Sequence, residues 1–119
     1  MALETTMKYG LRRIAQALHE YAADQGWRAD DYRVLVRLNE AWGRIHVVLV
    51  AKAFPQPSLE DAWHGVIDYL EDKLRDEPAL FESISLTLRT FDQVEEGGVY
   101  AISPRYVDIN DLFAGSPIE

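Results

Sequence analysis

Residues 32–53 read YRVLVRLNEAWGRIHVVLVAKA, and the alternation within them decides the fold. In the first half Tyr32, Val34, Val36 and Leu38 alternate with Arg33, Leu35, Arg37 and Asn39. In the second, Ile45, Val47, Leu49 and Ala51 alternate with Arg44, His46, Val48, Val50 and Lys52. Successive side chains of a strand point to opposite faces, so each half has one apolar face and one mixed, basic face. Two such strands joined through Glu40, Ala41, Trp42 and Gly43 predict an antiparallel hairpin with one side in the core.

The flanking segments supply what covers that side. Over residues 3–25, Met7, Leu11, Ile14, Leu18 and Tyr21 recur at helical spacing; Thr5 or Thr6 is placed to cap the start and Gly26 to end the helix. Gly10 falls inside this pattern and weakens the first turn. After Pro55 and Pro57, Ser58 opens a second helix, with Asp61 placed as in a capping box. Its apolar stripe is Leu59, Ala62, Trp63, Val66, Ile67, Leu70 and Leu74; Pro78 is expected to end it. Ile84, Leu86 and Leu88 mark a third strand over residues 81–90, residues 99–103 a fourth, and residues 109–113 a short helix capped by Asp108. The order helix–strand–strand thus runs twice. A shift of 50 residues lays Val34, Val36 and Leu38 on Ile84, Leu86 and Leu88, and a shift of 49 lays Ile14, Leu18 and Tyr21 on Trp63, Ile67 and Leu70. The expected fold is a single α+β domain over residues 1–119, αββαββ in two layers. Both helices lie on one face of a four-stranded antiparallel sheet.

Composition bounds the function. The 119 residues carry 20 acidic against 12 basic side chains, a formal charge of −8, and no cysteine. Disulfides and cysteine nucleophiles are thereby excluded, and general nucleic-acid binding is disfavoured. Residues 1–9 lack the apolar run of a signal peptide, and no run approaches the length of a membrane helix, so a cytoplasmic protein without a membrane partner is expected. Glu60, His64 and Asp68 share a helix face, but solvation explains that face better than a metal site. Asp108–Asp111 begins like a calcium loop and then departs from it at Leu112. No nucleophile–base set is legible, and neither catalysis nor a cofactor is expected.

What remains is the uncovered sheet face, which holds Arg33, Leu35, Arg37, Arg44, His46, Val48, Val50, Lys52 and Arg89. With Trp42 at the hairpin tip, these residues predict a protein-interaction surface: Leu35, Val48 and Val50 form an apolar centre inside a basic surround. The expected function is a non-catalytic, adaptor- or chaperone-like interaction domain. It would dock a second copy of itself, or another protein, through that face. The alternative is a small anionic ligand or regulatory site contacted by Arg33, Arg37, His46 and Arg89.

Overall fold

The computed structural model describes residues 2–39 and 43–112, with side chains from residue 8 onward. Trp42, the Met7 side chain and Phe113 therefore lie outside the described residues. In chain order the elements are α1 (Ala2–Asp24), β1 (Tyr32–Asn39), β2 (Arg44–Ala51), α2 (Leu59–Lys73), α3 (Pro78–Glu82), β3 (Ile84–Thr90), α4 (Phe91–Glu96) and β4 (Val107–Asp108). The helix begins before Thr5 and Thr6, so neither caps it.

The end of α1 follows from one glycine. Gly26 takes φ +78°, Trp27 N–H bonds back to Ala22 C=O at 2.9 Å and Gly26 N–H to Ala23 C=O at 3.0 Å. This is the left-handed cap in which a side chain past the helix folds back on its last turns. Trp27 does so, meeting the Tyr21 ring edge-on at 5.7 Å. Gly10 has a packing role: a Cβ there would sit 3.0 Å from a Leu80 methyl, so the missing side chain lets α3 lie against α1. Ser58 caps α2 as expected, its hydroxyl accepting from Asp61 N–H at 3.1 Å.

The hairpin forms in the predicted register, with Val34 opposite Leu49, Val36 opposite Val47 and Arg37 opposite His46. Its inner face carries Val34, Val36, Ile45, Val47 and Leu49, all buried against Ile14, Leu18, Val66, Leu70 and Leu74 of the helical layer. The rest of the sheet departs from expectation. Its order is β3-β2-β1-β4, and β3 runs parallel to β2, Val47 beside Leu86 and Leu49 beside Leu88. The crossover through α2 carries the chain back to the end where β2 began, and after the short α3 the next strand runs the same way as β2. The sheet is mixed, not antiparallel, and the second strand–strand step does not repeat the first.

The larger departure lies beyond β3. Residues 99–103 form no strand, and residues 91–96 are helical, with Thr90 and Gln93 capping each other's backbone N–H. From β3 at one edge the chain crosses the outer face as a strap and reaches the other edge, where Val107 and Asp108 pair with Val36 and Leu35. Phe91, Val94, Ile102 and Tyr106 of this strap pack on Leu35, Val48 and Val50. A final 3-10 turn, Ile109–Leu112, returns fully buried Ile109 to the main core.

Candidate functional site

Leu35, Val48 and Val50 do face outward from the sheet, but they are 6%, 5% and 2% exposed because the strap lies on them. The apolar centre of the expected interface is thus a second core. This corrects the reading of that face as uncovered, since the alternation of a strand gives parity but not what another segment lays over it.

The strap also sorts the basic residues. Arg33 Nε stands 3.7 Å from Asp108 Oδ2, and Lys52 Nζ 3.3 Å from Asp31 Oδ1. Both lie toward the end of the sheet remote from the hairpin turn, with Arg89. Arg89 donates from Nη1 to its neighbour's carbonyl, Leu88 C=O, at 2.9 Å and lies 5.5 Å from the Tyr100 ring centre. Arg37 and His46 are direct partners across the hairpin, four residues or roughly 13 Å along the strand from the Arg33 row. Arg44, two residues from His46, shares their face and donates from Nη1 to Glu82 C=O at 3.1 Å. Arg37 rests 5.5 Å from the centre of the Tyr106 ring. Of the predicted set, then, Arg37, Arg44 and His46 converge at the hairpin end, whereas Arg33, Lys52 and Arg89 do not join them.

A cleft of about 600 Å³ opens at this end, lined by Asn39, Arg44, His46, Ala79, Glu82 and Ser83. Burial pushes the His46 imidazole below its usual pKa, and the nearby Arg37 and Arg44 push it the same way. An anion arriving beside His46 would oppose these effects and raise its pKa again.

The pairing of the other cations sharpens this. Arg13 grips both oxygens of Asp76 at 3.1 and 2.9 Å, Lys73 pairs with Glu20 at 2.9 Å and Arg75 with Asp72 at 2.6 Å. Among the described residues no carboxylate pairs with Arg37, Arg44 or Arg89. In a chain with acids in such excess, three arginines held by ring faces and backbone carbonyls are oriented without being neutralised.

Sequence reasoning missed Tyr106 and α3 as parts of this surface, and Tyr100 as the ring beside Arg89 at the other end. No spacing links the tyrosines to the arginines they support; only the course of the strap does. On the far side of α3 a second cleft, about 540 Å³, is lined by Asp68, Glu71, Asp72, Pro78, Phe81 and Glu82. His64 is exposed beside Trp63, and no cluster of three potential metal ligands occurs among the described residues. His19 is tied up structurally, Nδ1 lying 2.6 Å from the Tyr32 hydroxyl and Nε2 3.1 Å from Asn110 Oδ1. No described helix is long and apolar enough to cross a membrane. Compared with protein-family models, with curated proteins and with solved structures, the chain matches none.

Proposed function

We propose that this protein is a non-catalytic interaction module that receives an acidic protein segment at the hairpin end of its sheet. Arg37 and Arg44 supply the charge, His46 takes up a proton on binding, and Asn39 and Ser83 line the same cleft face. The observation that carries this reading is the convergence of Arg37, Arg44 and His46 on one face with no carboxylate partner among the described residues. A guanidinium resting beside a tyrosine ring, 5.5 Å from its centre, keeps N–H donors that a carboxylate matches in bidentate fashion. The remainder of the molecule is acidic, so this end is a local attractive spot that orients an acidic partner and repels it elsewhere.

The test is a titration with a fluorescent hexaglutamate peptide read by anisotropy, alongside a single-stranded oligonucleotide of similar charge. The reading predicts saturable peptide binding that weakens as salt shortens the screening length. It also predicts loss of binding in Arg37→Glu/Arg44→Glu and no change in Arg33→Glu. Equal loss from Arg33→Glu, or tighter binding of the oligonucleotide, overturns it.

A further inference from the structure

The two clefts share a wall. Glu82 of α3 lines both, with Ala79 on the side of Arg44 and His46, and Pro78 and Phe81 on the side of Asp68 and Glu71. Arg44 and His46 therefore lie on one side of this short helix, and Asp68, Glu71 and Asp72, the last paired with Arg75, on the other, with Glu82 between them. Pro78 and Ala79 are exposed on its crest, and Phe81 is half-buried. Asp68 and Glu71 are exposed, and no ion pair or hydrogen bond of the described residues occupies their side chains.

From this arrangement we infer that the acidic segment received at the hairpin end is the α2–α3 face of a second copy of this chain, and that the two copies pair about a two-fold axis running through the α3 crests. This rests on the reading of the hairpin end as an acid-binding site. A two-fold interface must be self-complementary: whatever patch one copy offers, it must meet its counterpart on the other. Arg44 on one side of a common ridge and Asp68 and Glu71 on the other meet that condition, because a half-turn about the ridge lays Arg44 of each copy beside the partner's carboxylates. The contact is then made twice, once on each side of the axis. Pro78 and Ala79, the small apolar side chains of the crest, meet at the axis.

The formal charge of −8 on each copy opposes pairing, but it acts at a distance. At physiological ionic strength the screening length is about 8 Å, so repulsion between the remote acidic helix faces is damped while carboxylate–guanidinium pairs in contact are not. Weak, salt-sensitive association is the expected outcome, not an obligate dimer.

The experiment is sedimentation of the full chain and of two charge-reversed variants, alone and mixed. Wild type is expected to rise above its monomer mass of 13.6 kDa with concentration and to fall back in high salt. Arg37→Glu/Arg44→Glu and Asp68→Lys/Glu71→Lys should each weaken self-association by about a hundredfold or more, since both contacts of the pair become like-charged. Mixed together they should associate again, because the heterodimer has one native contact and one with both signs exchanged. Circular dichroism checks that each variant folds; Arg44→Glu with Glu71→Lys repeats the test should a double variant not. Wild type that stays monomeric at all concentrations, or a mixture that does not recover, overturns the inference. Hexaglutamate binding to the charge-neutral variant Asp68→Asn/Glu71→Gln separates the two claims. If that variant binds peptide while wild-type chains do not pair, the acid-binding site stands and only its occupant is wrong.

Discussion

At the scale of single residues, the strap changes what a substitution reports. Val48 lies on the outer face yet is 5% exposed beneath Phe91, Val94, Ile102 and Tyr106. Val48→Asp places a carboxylate in an apolar contact and should cost more than about 3 kcal/mol, read as a lower urea midpoint. An unchanged midpoint would mean that the strap does not cover the site. His46 offers a pH readout whose sign follows from its environment. Burial, Arg37 and Arg44 lower its folded pKa, so the unfolded chain holds the proton more tightly. The stability it contributes is therefore full above the ordinary histidine value of about 6.5 and is lost as pH falls from there through the folded value. A thermal midpoint that declines between about pH 7 and pH 5.5, with a shallower decline in His46→Gln, is the expected result. Arg37→Gln should raise the His46 pKa by removing one of the charges that lowers it.

At the scale of elements, the free edge of β3 is guarded side chain by side chain. Ile45 N–H bonds to Ser83 C=O, which fixes odd-numbered residues of β3 toward β2 and even-numbered ones toward the edge. There Leu86 C=O accepts the Trp63 indole N–H at 2.9 Å, Leu88 C=O accepts from Arg89, and Thr90 N–H reaches Gln93 Oε1 at 2.9 Å. An edge so occupied resists pairing with another chain. Trp63→Phe keeps the packing and removes one bond; it should cost about 1 kcal/mol in chemical unfolding and speed hydrogen exchange along β3. The elements that were legible from residue pattern are those whose periodicity meets a single partner surface: the hairpin, α2, and α1 with its Gly26 stop. The strap was not, for a physical reason. Val99, Ala101 and Ser103 alternate with Tyr100 and Ile102 as a strand would, but Val99 is 86% exposed while Ile102 packs on the sheet. There Gly98–Tyr100 is a 3-10 turn and the chain then crosses the sheet without pairing, so the alternation marks no strand. The parallel direction of β3 was likewise invisible in its side chains, since parity is the same for either direction. Of the predicted residues, Arg37, Arg44 and His46 were placed on one face by parity alone. Leu35, Val48 and Val50 were misassigned because the residues that bury them are distant in sequence.

At the scale of the whole molecule, charge and architecture divide together. The acids lie mainly on helices and loops, several of them holding α1 and α2 together through Arg13–Asp76 and Lys73–Glu20. Arg33, Arg37, Arg44 and Arg89 lie on the outer sheet face, where the strap covers the apolar centre and leaves Arg44 exposed. The account therefore ties function to one end of one face, and it predicts that occupation of that end is felt by a single histidine. The most direct measurement is the nuclear magnetic resonance titration of the His46 ring protons with and without hexaglutamate. The account predicts that the peptide raises the His46 pKa toward or above the ordinary value and shifts Arg37 and Arg44, with no change at Leu35, Val48 or Val50. An unmoved His46 pKa at saturating peptide, or shifts centred on the strap and the valines beneath it, would contradict it.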